Sequence, residues 1–214
     1  MKKQFIFLLF LLLPSENCFG HFIQGFGIKF GSTNAKQYWE YSPEINVQFS
    51  SNARWGWNCG FFAEFLDLSY LKILAETVYT QKGMKYEFEE TSSNDPTGTG
   101  HTKIINNRLD YVGLRFLGKI NFQNPKISPY FLVGFRLDYQ INQKIEHGFE
   151  VIYEKFEKNI QGISAGAGIE LEKTISIPIM AEIVYNYDIT IPYQTENLYI
   201  KNSDFEIRIG IRFR

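Results

Sequence analysis

The chain has 214 residues, room for one barrel or one to two ordinary domains. Its 22 basic and 23 acidic residues nearly cancel and form no basic block, which argues against nucleic acid as a partner. Hydrophobic residues make up 44% of the chain, but no apolar run is long enough for a membrane-spanning helix. Aromatics reach 17% and Gly outnumbers Pro by 17 to 7, the composition of an all-β chain.

The first twenty residues read as a targeting segment. Lys2 and Lys3 precede an apolar run over 5–13, Pro14 ends it, and Cys18-Phe19-Gly20 offers a cleavage site before His21. That layout predicts a secretory signal peptide over 1–20 and a mature domain over 21–214. Cys59 is then the sole thiol, so no internal disulfide forms, and it falls on an apolar face where it serves as a small hydrophobe.

The mature chain repeats one pattern, alternation of apolar and polar residues with a period of two. It is clearest in the hairpin 57–82, whose two runs meet at a turn over 67–69. Trp57, Cys59, Phe61, Ala63 and Phe65 share one face, and Asn58, Gly60, Phe62 and Glu64 take the other. The same alternation predicts strands over 22–30, 109–122, 129–141, 160–171, 175–188 and 204–213, eight strands in all. Runs of about 10 to 12 residues suit tilted strands crossing a bilayer. Short turns over 67–69, 123–128 and 172–174 alternate with long polar connections over 31–54, 83–108, 142–159 and 189–203. Such asymmetry matches short periplasmic turns and long extracellular loops.

One face is almost free of charge. The other carries Lys29, Glu64, Lys72, Glu76, Arg115, Lys119, Arg136, Asp138, Glu170, Glu182, Asp188, Glu206, Arg208 and Arg212. In a soluble barrel the charged face points outward; in a membrane barrel it lines the lumen while apolar residues meet lipid. The leader, the loop asymmetry and the aromatics near strand ends (Trp57, Tyr79, Phe122, Tyr139, Tyr185, Tyr187, Phe213) favour the membrane. The expected fold is an all-β, eight-stranded antiparallel up-and-down transmembrane β-barrel. Balanced inward charges predict a lumenal charge network rather than a wide pore, and outer-membrane lipid as the barrel's surroundings.

The segment LKILAETVYTQKG (71–83) is similar to the third-strand signature of the PorT-like outer-membrane β-barrel proteins. GFFAEF (60–65), LDYVGLRFLGKINF (109–122), SPYFLVGFRLDY (128–139) and GAGIELE (166–172) resemble that family's successive strands in the same order. The resemblance implies a small eight-stranded outer-membrane barrel of the OmpX and OmpA type, inserted by the barrel-assembly machinery. It also implies kinship with members linked to protein secretion.

Signals for chemistry are thin. The glycines of 25–31 and 162–168 open no helix after a strand, so they do not form a phosphate loop. His21, His101 and His147 lack metal-ligand spacing, and no metal or cofactor is expected. His101 and His147 fall in loops at one barrel end near Ser and acidic residues, which leaves a lipid acyl hydrolase or transferase as a minor alternative. A soluble lipocalin-like carrier is another. Further alternation in 43–49, 85–89 and 149–156 predicts strands continuing above the membrane, with an edge suited to a protein partner at the loops. The sequence thus points to a non-enzymatic surface protein with a structural or interaction role, in adhesion or as a secretion accessory.

Overall fold

The computed structural model describes residues 23–44, 49–66, 68, 70–90, 100–122, 127–146, 148–171 and 178–213. The leader 1–20, His21 and His147 lie outside the described residues, as do most of the short turns. Eight long strands pair antiparallel in chain order: β1 (Ile23–Tyr41), β2 (Asn52–Phe65), β3 (Leu71–Glu89), β4 (Thr102–Asn121), β5 (Ser128–Lys144), β6 (Asn159–Leu171), β7 (Ile179–Asp188) and β9 (Leu198–Phe213). Pairing of β1 with β9 closes the ring. A two-residue strand, β8 (Tyr193–Gln194), lies against the outer end of β9, and one helical turn, α1 (Glu150–Tyr153), interrupts the connection from β5 to β6.

The register fixes the shape. From Phe26, pairs run through Ala63, Ala75, Phe116, Phe135, Ile163, Tyr187 and Ser203, and return to β1 at Lys36. One circuit therefore climbs from position 26 to position 36. With strand spacings of ~4.7 Å and a rise of ~3.3 Å per residue, that stagger tilts the strands by roughly 40° and sets a backbone radius near ~8 Å. Such a barrel is filled by its own side chains.

Parity sorts those side chains. Phe116, Phe131, Phe135, Ile183, Ile207 and Ile209 are each more than half exposed, an arrangement that only a lipid solvent favours over so many strands. From Val112 on β4 to Phe122 just past its end, the outward apolar run rises roughly 25 Å at this tilt, the height of a barrel's lipid band.

One expectation is corrected. Residues 149–156 do not continue a strand: α1 and the following turn occupy 150–155, so that Tyr153, at the end of α1, and Phe156, just after the turn, both reach the barrel mouth. Of 43–49, Pro43, Glu44 and Phe49 are outside any strand, and 45–48 lie outside the described residues. The expected extension over 85–89 is present, since β3 runs to Glu89 opposite Thr102. β1 also runs further than expected, to Tyr41 opposite Leu198. Beyond Phe30 its outward positions become Ser32, Asn34 and Lys36, so hydropathy stops alternating while the ladder of hydrogen bonds continues.

Candidate functional site

Inside the barrel, the strand parity that turns Phe and Ile outward brings acids and bases together. All twelve residues Lys29, Glu64, Glu76, Arg115, Lys119, Arg136, Asp138, Glu170, Glu182, Glu206, Arg208 and Arg212 are at most 5% exposed. They join in three groups. Near the short-turn end, Lys119 Nζ donates to Glu64 and Glu170, each at 2.9 Å, while Arg212 reaches the same two carboxylates at 3.1 and 2.9 Å. Lys72, less deeply buried, lies 3.5 Å from Glu64.

In the middle, Arg115 forks onto both oxygens of Glu206 at 2.7 Å. Arg208 donates to Glu76 at 2.9 Å and pairs with Glu182. Lys29 bridges Glu76 and Glu182 at 3.2 and 3.0 Å. Towards the long-loop end, Arg136 pairs with Asp138 and Asp188, and Lys82 bonds Asp138 at 2.9 Å and Asp204 at 3.1 Å. Isolated charges at these depths would each cost several kcal/mol, a cost that their mutual pairing offsets.

Sequence reasoning omitted Lys82 and Asp204 from this set, although parity already marks both. Lys82 continues the inward series of Lys72, Leu74, Glu76, Val78 and Thr80, and Asp204 that of Glu206, Arg208 and Gly210. Both sit where the expected strands ended. With them, this set of described residues comprises eight cations (the twelve's six, with Lys72 and Lys82) and eight anions (the twelve's six, with Asp188 and Asp204).

Apolar layers alternate with the charged ones. Phe62, Leu74, Leu117, Tyr130, Leu132, Met180 and Val184 cluster in the lower interior. Two of these rings lie over glycines: a Cβ at Gly27 would sit 2.6 Å from the Phe62 ring, and one at Gly168 would sit 2.4 Å from Tyr130. At the extracellular mouth, Trp39, Met84, Leu109, Tyr111, Ile160 and Ile200 receive Tyr153 and Phe156 from the α1 segment. Tyr153 donates its hydroxyl to Gln37, and burial pushes its phenol above the usual range. The mouth is stoppered by an aromatic cap.

His101 ends the β3–β4 hairpin, where its carbonyl accepts the Glu90 N–H at 2.9 Å. Among the described residues no group of three or more His, Cys, Asp or Glu is placed to hold a metal ion. The glycines of 25–31 and 162–168 lie within β1 and β6. Cys59 lies on the outward face, along a shallow apolar groove with Phe30, Trp57 and Ile209.

The family described as "Outer membrane protein beta-barrel domain" matches residues 22–190. The outer membrane protein OprG from Pseudomonas aeruginosa is 10% identical over 91% of this chain and 98% of its own, with a TM-score of 0.51. Neisserial surface protein A is 12% identical over 88% of this chain and 97% of its own, at 0.46. The E. coli outer membrane protein W is 10% identical over 91% and 99%, at 0.44. No curated protein matches the sequence. At these identities the likeness to OprG shows the fold alone.

Proposed function

The chain belongs to the outer membrane protein beta-barrel domain family, and from that premise we propose that it is a closed barrel acting by contact at the cell surface. Its role on this reading is structural, in adhesion or as an accessory to secretion, with the PorT-like strand motifs favouring the secretion limb. The leader 1–20 delivers it, the barrel-assembly machinery inserts it, and lipid covers its outward face.

One observation carries this reading. Alongside pairs that follow the wall, such as Arg208 with Glu182 on the neighbouring strand, several ion pairs cross between strands that are not neighbours: Arg115 on β4 reaches Glu206 on β9, Lys119 on β4 reaches Glu64 on β2 and Glu170 on β6, and Lys82 on β3 reaches Asp204 on β9. Groups that bridge a lumen of ~8 Å backbone radius leave no continuous column of water. Solute passage would require breaking buried pairs, so function is assigned to the extracellular ends of the strands. Reconstitution in planar bilayers tests it: the folded protein is expected to show no stable open level. Large, long-lived unitary steps would overturn the closed reading and make the protein a channel.

A further inference from the structure

Above the lipid band, the outer wall of β3, β4 and β5 turns from apolar to basic. Val112 closes the apolar run of β4. Arg108, four residues higher on the strand, stands roughly 10 Å above it at this tilt, at the level of lipid headgroups. Arg108 pairs with Lys144 on β5, so the two side chains leave the same face directly opposite each other. Lys85 on β3, opposite Asn106, faces the same way one diagonal step higher. Arg54 on β2 joins from the side, its Nε donating to Asn106 Oδ1 at 2.9 Å.

Little on this wall offsets these charges. Among the described residues 53–57, 81–85, 106–112 and 139–144, Asp110 is the one carboxylate. It is 3% exposed and already engaged: Arg108 Nε lies 3.2 Å from one oxygen, and Asn142 donates to the other at 3.0 Å. Glu87, two residues beyond Lys85, is the next acid on β3. Lys144 is exposed and, among the described residues, forms no ion pair with a carboxylate. Like charges set directly opposite in a sheet destabilise it, and an anion shared between them removes that cost.

The position selects the anion. Tyr139 and Ile141 on β5, 51% and 52% exposed, flank the pair from below, and Trp57 and Tyr79 stack further round the wall. Aromatic side chains at this height mark the membrane interface. An acidic protein would have to strip lipid from these residues to reach the pair, whereas a lipid packed against them already carries its headgroup there. Phosphate suits the pair, because its oxygens accept from the guanidinium and from the ammonium together. We propose that Arg108 and Lys144 bind the phosphate of an outer-leaflet lipid. The proposal goes beyond the closed-barrel reading and does not depend on it.

The test uses the full mature chain refolded into micelles of an uncharged polyoxyethylene detergent, which brings no phosphate of its own. Native mass spectrometry then follows titration with lipid A and with lipid A stripped of its phosphates. The phosphorylated form is expected to bind, about fivefold more weakly in Arg108→Gln and again in Lys144→Gln. Lys103→Gln, an exposed change on β4 above the cluster, is expected to bind as the parent does. Both cluster side chains reach the surface, and mobility on unheated gels checks that each variant is folded. Equal binding of the stripped lipid, or binding unchanged in both cluster variants, overturns the proposal. Displacement of lipid A by micromolar inorganic phosphate would make this a free-phosphate site and overturn the lipid assignment. Conductance is read separately, so an open pore would refute the closed barrel and leave this result standing.

Discussion

At the scale of single residues, the interior works because the charges of the lumenal network are paired with one another. Arg115 sits between Glu206, held by two 2.7 Å bonds, and Glu76 at 3.8 Å. Arg115→Ala leaves Glu206 buried and short of its main partner. The expected loss is about 3–5 kcal/mol, read from urea unfolding in vesicles. Pairing Arg115→Leu with Glu206→Leu should recover much of that loss, because the orphaned charge disappears along with its partner. An additive double variant would contradict this and make the pair incidental. Gly168 answers to packing instead. A Cβ there meets both Tyr130 and the Ala181 carbonyl at 2.7 Å or closer, so Gly168→Ala should cost about 1–3 kcal/mol in the same assay.

At the scale of elements, the strands divide at the membrane surface. Phe116, 54% exposed, stands on the lipid face of β4 near the middle of its apolar run. Phe116→Arg should therefore lose about 2–4 kcal/mol, more than the same change at Ile104, which lies on the same strand above the band. Above the band, the cap depends on a neutral Tyr153. Burial raises its pKa, so the folded form holds the proton more tightly than the unfolded chain does. The stability this gives is complete below the unfolded value and declines as pH rises beyond ~10. Proteolysis of the α1 segment by an alkaline protease should accelerate across that window in the parent. In Tyr153→Phe, which has no proton to lose, the acceleration should be absent.

At the scale of the whole molecule, most of the barrel was legible because one rule, parity along a strand, assigns both faces at once. It placed Glu64 and Phe65 on opposite sides correctly, and did so along every strand. It faltered where the solvent changed. From Ser32 to Tyr41 both faces of β1 meet polar surroundings or the cap, so hydropathy no longer reports a ladder that hydrogen bonds still maintain. At 149–156 alternating residues resembled a strand, yet a single helical turn ending at Tyr153 docks in the mouth, with Phe156 just beyond it. The ion-pair partners were not legible at all. Which of eight anions faces Lys119 depends on a stagger from 26 to 36 that only the closed register supplies.

In this barrel the apolar face meets lipid and the charged face fills the lumen. Tryptophan quenching by brominated lipids tests it directly, because the tryptophans sample different environments. Trp57 is 42% exposed beside Phe30 and Tyr79 on the outward face, while Trp39 is 8% exposed within the cap. A variant keeping only Trp57 (Trp39→Phe, Trp55→Phe) should be strongly quenched, and one keeping only Trp39 (Trp55→Phe, Trp57→Phe) should not. Trp57 indifferent to brominated lipid, in a protein recovered without membranes, would turn the faces inside out and leave a soluble barrel with an aromatic core.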